Sequence, residues 1–314
     1  MFTREELIEQ ITKFLMSENF KISVQIFRGT CYDILAKRDQ DFYIIKVFLN
    51  VDTIKIEIAE ELKLLSTFLG AKPLVIGVRS GTGKLEDSVI YSRHGLPILS
   101  FATFYEYVKE IVYPISFAAP GGFYVKINNR LLREIREKKD ISLGELARIG
   151  RVSRRTILMY EEGESATSID VVLKLEEYFK VPLIEDLNPF RYHEKPKDIN
   201  RFIAPDNEFE EEVSNIFDIV GSRIYFTKHS KIDAITTYLN DIYLTGLIVK
   251  KEDFKIKSED LAQISKIVEK ESFLISRFKD ESFFKGLVPV VSLKDIRNVK
   301  KNINIKEILE EYKL

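Results

Sequence analysis

The chain carries a single cysteine, Cys31, so no internal disulfide can form. One thiol suits a reducing, intracellular setting. Three histidines and that cysteine are scattered without zinc-ligand spacing. No run approaches the ~18 uncharged apolar residues of a membrane helix, so no span is expected. The opening MFTREELIEQITKFL reads as a charged amphipathic helix and lacks the apolar core of a signal peptide. The expectation is a soluble, cytoplasmic protein. Charge excess is also missing: the net charge is −1 and the pI about 6.4. A uniformly basic nucleic-acid binder is excluded, and any contact with nucleic acid must come from a local patch.

What is present is core material. Hydrophobic residues make up 45% and charged residues 31% of the 314 positions, which describes a globular rather than a disordered chain. The length suggests two or three domains. Two breaks divide it: PISFAAPGG, Pro114–Gly122, and the polar, proline-bearing stretch Asn188–Phe209. The expected parts are 1–118, 119–190, a linker at 191–204, and 205–314.

The first part reads as α/β. A helix near Glu5–Leu15 precedes strands at Lys21–Phe27, Cys31–Arg38 and Phe42–Phe48, each rich in β-branched and aromatic residues. A helix near Ile58–Leu69, strands at Pro73–Val78, SVIYS and GLPILS, and a helix near Phe101–Val112 follow. The third part repeats this order. YDILAKRDQDFYIIKV (Tyr32–Val47) lies over IDAITTYLNDIYLTGL (Ile232–Leu247) without a gap, matching Asp33 to Asp233, Asp41 to Asp241 and Tyr43 to Tyr243. GLPILS also matches GLVPVVS, ahead of an expected final helix. We read an internal duplication; the alternative is two unrelated α/β units sharing generic strand patterns.

The middle part is all-α. Leu131, Leu132 and Ile135 form the stripe of a first helix. Ser142 caps a second, with Glu145 placed for a capping box, and Gly150 is read as its tight turn. Ser153 caps a third that ends at Gly163; Ser168 caps a fourth; LIEDL reads as a short fifth. Two helices joined by a short turn cross steeply on a shared apolar contact, here Leu146, Ala147, Val152 and Ile157. Ala147 is small where they come closest.

Ser142–Gly163, SLGELARIGRVSRRTILMYEEG, resembles the Xre-type, lambda-repressor-like helix-turn-helix family. The resemblance implies a five-helix domain whose third helix enters the major groove. By analogy, Arg154 and Arg155 are candidate base contacts, since arginine pairs bidentately with guanine, with Thr156 and Met159 beside them. Ser142, Arg148, Arg151, Ser153, Ser165 and Thr167 are candidate phosphate contacts. The competing reading is a solvated helix face. One departure is Leu143, where the family often places a phosphate-binding Gln. Between Lys126 and Glu162 ten basic residues face six acidic ones, a local surplus of +4 that can displace counterions.

YDILAKRDQDFYIIKVF resembles the restriction-endonuclease-like fold of archaeal Holliday junction resolvases. There a strand Asp and a following Glu-x-Lys hold a divalent metal and position water. Asp33 matches the Asp, but Lys46 and Phe48 stand in the Glu and Lys places. The second copy keeps Asp233 and has Gly246 and Ile248. Neither copy is therefore expected to be a nuclease, and Asp33 reads as a capping or ion-paired residue, with Lys46 as partner. Cys31 reads as a buried small residue. GTGK within Ser80–Ser88 fails the P-loop spacing, because Leu85 follows the lysine, and reads as a turn. His94 reads as a surface histidine.

The whole plan resembles a group of archaeal helix-turn-helix regulators. The expected fold is α/β plus all-α: two restriction-endonuclease-like domains flanking the helix-turn-helix. The expected function is sequence-specific regulation of transcription. Double-stranded DNA is the expected partner and a homodimer the expected state. No catalytic residue, metal or cofactor is expected, and no effector is identified. The alternative is a metal-dependent nuclease or resolvase delivered to DNA by the helix-turn-helix.

Overall fold

A computed structural model describes residues 3–26, 29–81, 83–191, 193–278, 287–294 and 307. The first helix, α1 (Arg4–Ser17), starts from a complete capping box between Thr3 and Glu6 and buries Leu7, Ile8, Ile11, Phe14 and Leu15. Strands β1 (Lys21–Val24), β2 (Ile34–Arg38) and β3 (Asp41–Asn50) follow, then α2 (Ile56–Leu69). Next come β4 (Lys72–Ser80), β5 (Gly83–Lys84), β6 (Val89–Arg93), β7 (Leu96–Leu99) and α3 (Phe101–Lys109). The hairpin β8 (Ser116–Ala119) and β9 (Gly122–Val125) leads into α4 (Asn129–Lys138), α5 (Leu143–Gly150) and α6 (Arg154–Glu162). Then come β10 (Thr167–Ser168) and α7 (Ile169–Phe179). The remainder holds α8 (Glu208–Ile219), β11 (Arg223–Phe226), β12 (Ala234–Tyr238), β13 (Asp241–Ile248), α9 (Phe254–Val268), β14 (Ser272–Ser276) and β15 (Val290–Ser292). The final helix expected from sequence lies outside the described residues. No helix among the described residues is long and apolar enough to cross a membrane.

Contacts group the described residues into two units. One holds the chain up to Val47, Lys55–Pro73 and everything from Glu194 onward; the other holds Phe48–Ile54 and Leu74–His193.

In the first unit, β1, β2 and β3 form an antiparallel meander, with Ile34 opposite Ile45 and Arg38 opposite Asp41. Strands β11, β12 and β13 form a second, with Ala234 opposite Thr245 and Tyr238 opposite Asp241. The β12–β13 register equals the β2–β3 register displaced by the gapless offset seen in the sequence, whereas β11 pairs with β12 two residues out of step with β1 on β2. From β13 the chain crosses through α9 to β14, which runs parallel to β13, and β15 is parallel to β14. A helical crossover is what a parallel pair requires. Phe217, Ala234, Phe273, Ile275 and Val291 are buried in one core here. The two hairpin systems touch within this unit. Glu61 on α2 accepts the backbone N–H groups of Lys228 (3.0 Å) and His229 (2.8 Å). Cys31 donates its N–H to the His229 carbonyl at 2.6 Å, and the Phe68 and Tyr225 rings lie 4.7 Å apart. Cys31 is fully buried; burial, reinforced by Glu61, pushes its thiol well above the ordinary value.

In the second unit, β4 pairs parallel with β7, β7 antiparallel with β6, and β6 parallel with β8. Strand β9 pairs antiparallel with both β8 and β10. Around the SGTGK segment, β4 and β5 pair antiparallel, with Arg79 opposite Lys84 and Ser80 opposite Gly83. His94, at φ 50°, occupies the turn between β6 and β7 and is half-buried. Its Nε2 lies 3.1 Å from the Ile54 carbonyl.

Three local expectations are corrected. PISFAAPGG is not an inert break: Ser116–Ala119 forms β8, and Gly121 and Gly122 turn the β8–β9 hairpin at φ 98° and 141°. LIEDL is not a helix. Ile184 bridges to Ile127, and the N–H groups of Glu185 and Leu187 go to the carbonyls of Lys126 and Pro114 at 2.9 Å each. A backbone donor committed sideways is unavailable to a helical turn. The middle domain thus has α4 to α7 and an extended closing strip. Gly150 does not carry the turn between α5 and α6. It is the last helical residue, and Arg151 takes the left-handed conformation at φ 55°.

Candidate nucleic-acid interface

The helix-turn-helix is assembled on a small core. Leu132, Leu146, Ala147, Ile157, Val172, Leu175 and Leu183 are buried together, with Leu131, Ile135 and Val152 packed against them. The four residues read as the inter-helix contact are all in this cluster. Both central helices begin from a serine. Ser142 accepts from the Glu145 N–H at 3.2 Å while Glu145 returns a bond to the Ser142 N–H, also at 3.2 Å. Those bonds hold the Glu145 carboxyl below its ordinary value. Ser153 accepts from the Thr156 N–H at 3.0 Å. Gly163 ends α6 at φ 74°, the left-handed position that glycine adopts without strain.

One long-range pair fixes α6 against α4. Arg136 Nε and a terminal nitrogen reach the two oxygens of Glu161 at 2.6 and 2.9 Å, a bidentate geometry. The same guanidinium donates to the Ile141 carbonyl at 3.3 Å. Glu161 is buried, so these two residues leave the surface patch together and its surplus of positive charge is unchanged.

On α6, Arg154 and Arg155 are exposed, and Thr156 and Met159 are half-buried. A β-carbon on Gly144 would stand 2.8 Å from Arg154 Nε. The Arg154 guanidinium therefore rests over the first turn of α5, in space that glycine provides. Arg148, Arg151 and Ser153 are exposed and Ser165 is half-buried. Thr167 is buried, and its hydroxyl turns to the Ser168 carbonyl at 3.4 Å. The phosphate set loses that side chain, because β10 pairs with β9 and draws it inward. Ser142 is exposed, but its hydroxyl also lies 3.1 Å from the Glu145 carboxylate, an anion that disfavours phosphate beside it. One residue was missed: Leu158 is 41% exposed. Its spacing, three and four residues after the arginines, puts it on their helix face, and an apolar group there can meet a thymine methyl.

The nuclease-like position has a different chemistry. Asp33 is fully buried. Its carboxylate accepts from an Arg4 terminal nitrogen at 2.5 Å, Lys46 Nζ at 2.9 Å, the Thr30 hydroxyl at 3.2 Å and the Val47 N–H at 2.8 Å. Burial lowers the Lys46 pKa from its ordinary value even with Asp33 alongside. In the second hairpin system Asp233 accepts the Leu247 N–H at 2.7 Å and Lys257 Nζ at 2.5 Å. A β-carbon on Gly246 would meet the end of the Leu274 side chain at 2.5 Å, so the family's glutamate would enter there only with a shift of that leucine. The residues do not fit a divalent metal: protein cations already sit on both carboxylates, and no acidic or histidine cluster that could hold one occurs among the described residues.

Comparison with known proteins agrees with this division. Residues 4–114 match a PD-(D/E)XK superfamily domain and residues 132–185 match a helix-turn-helix. A protein of Thermococcus kodakarensis is 35% identical over 99% of this chain and 96% of its own length. One of Pyrococcus furiosus is 34% identical over 98% of both chains. One of Methanocaldococcus jannaschii is 32% identical over all of this chain and 98% of its own. Each is named a "putative HTH-type transcriptional regulatory protein". The chain belongs to this archaeal family of helix-turn-helix-type regulatory proteins, and it carries a PD-(D/E)XK superfamily domain ahead of its helix-turn-helix. No solved structure gives a significant match.

Proposed function

We propose that the chain is a sequence-specific DNA-binding regulator of transcription that reads duplex DNA with α6. The observation that carries this is one exposed helix face, capped at Ser153, presenting Arg154, Arg155 and Leu158. Arg155 and Arg154 contact base edges, with Thr156, Met159 and Leu158 beside them. Arg148, Arg151, Ser153 and Ser165 contact phosphate. A second chain brings a second α6 to a paired half-site, the usual logic of helix-turn-helix binding. Such a regulator works where the chromosome is, in the cytoplasm.

Both α/β portions serve as scaffold rather than as nucleases, since Arg4, Lys46 and Lys257 occupy the carboxylates that a metal would need. The equal registers of the β2–β3 and β12–β13 hairpins support the view that residues 1–118 and 205–314 arose from one duplicated unit, joined through residues 119–190 and a linker at 191–204.

The test is selection from random duplex oligonucleotides with the full chain. A single enriched motif is expected. Arg154→Ala/Arg155→Ala should lower affinity for it by roughly 30- to 10,000-fold, at about 1–3 kcal/mol for each of the two base contacts, with non-specific binding less affected. An unchanged motif and affinity in the double variant would move the reading surface elsewhere. Sedimentation of the same sample checks the dimer.

A further inference from the structure

A cavity of about 280 Å³ lies in the second unit. Its floor is the sheet: Ile90, Pro97 and Phe117, from β6, β7 and β8, present apolar surface. Its wall is the strip Glu185–Pro189, whose first three residues belong to the LIEDL segment that the sequence suggested would be helical. Charges of both signs border it, with Lys126 and Arg191 set against Glu185 and Asp186. An apolar floor with a few converging polar groups is the general composition of a small-molecule site, and the volume is metabolite-sized. A rim bearing both signs suits a ligand with both.

The wall is also structural to the helix-turn-helix. Leu183, buried in its core, accepts the N–H of Asn128 at 2.7 Å, and Asn128 is the residue that caps α4. Glu176 on α7 accepts the N–H groups of Leu183 and Ile184 at 2.6 and 3.1 Å. Glu185 then bonds to Lys126 and Leu187 to Pro114. The strip that borders the cavity is thus hydrogen-bonded to both ends of the four-helix domain. A ligand pressing on Glu185–Pro189 changes the alignment of α4 and α7, against which α5 and α6 pack.

We propose that this cavity binds an apolar α-amino acid as a zwitterion, and that occupancy alters DNA binding. The ammonium faces Glu185 and Asp186, the carboxylate faces Lys126 and Arg191, and the side chain lies over Ile90, Pro97 and Phe117. The regulatory half rests on the DNA-binding reading above; the binding half does not. Coupling of this kind is reciprocal, so ligand and DNA affinities change by one common factor, typically ~5- to 150-fold.

The experiment is calorimetry of the full chain without DNA, using L-phenylalanine and L-leucine as probes. Phenylalanine amide, which lacks the carboxylate, and 3-phenylpropionate, which lacks the ammonium, are the comparators. Binding of at least one amino acid, with both comparators at least tenfold weaker than phenylalanine or undetectable, is expected. Ser92→Phe, at a residue lining the cavity on β6, should abolish that heat together with any ligand-dependent change in affinity for the selected DNA motif. Asp186→Asn, a milder change, should weaken amino-acid binding about tenfold. No binding of either amino acid at millimolar concentration, or equal binding of all four compounds, overturns the proposal. Binding that leaves motif affinity unchanged overturns the regulatory half. Binding by a chain that selects no DNA motif supports the cavity and counts against the DNA reading instead.

Discussion

Asp33→Ala is expected to lower the unfolding free energy by about 3–5 kcal/mol, the loss seen when one partner of a buried ion pair is removed. Asp33 is 0% exposed and Lys46 4% exposed. Removing the carboxylate leaves the Lys46 ammonium without its counter-ion, and one Arg4 donor and the Val47 N–H without this acceptor, in a site with little access to water. Asp33→Ala/Lys46→Met, which removes the buried amine as well, should recover part of the loss. Asp233→Ala is the internal control. The side chains of Asp233 and Lys257 are 24% and 30% exposed, so solvent screens the orphaned charge and the cost should be about 1 kcal/mol. Urea unfolding followed by circular dichroism reads both. Equal and small losses at the two sites would mean that Asp33 is not held as described. The same protein should show no magnesium-dependent rise in melting temperature, because a metal that bound the folded state would raise it. Metal-dependent cleavage of plasmid or branched DNA, lost in Asp33→Asn, would favour the nuclease alternative.

Much of this site was legible before any coordinates. Lysine where the family has glutamate is an electrostatic contradiction visible in the string, and the pairing of Asp33 with Lys46 follows from it. Arg4 and Lys257 were not visible. They come from helices, α1 and α9, whose distance from the aspartates in sequence carries no periodic signal. The hairpins were legible for a local reason. Asp39 and Leu239, at φ 50° and 52°, turn the chain at equivalent points, and alternation on either side sets the register. The helix-turn-helix was legible through its serine caps and Gly163. Its errors occur where tertiary pairing overrides local preference. LIEDL has helical composition, yet its donors are taken by Lys126 and Pro114. Gly150 looks like a left-handed cap, yet it stays helical and the left-handed conformation falls to Arg151. The bonds of Glu61 to Lys228 and His229, across 167 and 168 residues of chain, were illegible for the same reason.

The second large effect concerns the seating of α6. Arg136→Ala should destabilise the helix-turn-helix by about 3 kcal/mol, the lower end of the buried-pair range. The low end applies because the Arg136 side chain keeps 15% exposure while Glu161 has 3%. The loss should be local. Glu161 is left buried without its fork, and α6 loses the tie to α4 that sets its angle, while the first unit keeps its own core. Hydrogen exchange of the full chain should show amides of Arg154–Glu162 losing about 100-fold protection, since each 1.4 kcal/mol is a factor of ten. Arg136→Met/Glu161→Leu separates position from contact. Exchanging a buried pair for apolar groups of similar volume is often nearly neutral, so the double variant should regain exchange protection and motif affinity together. Regained protection without regained affinity would mean that Arg136 touches DNA itself, and that the bidentate pair is not what aims the recognition helix.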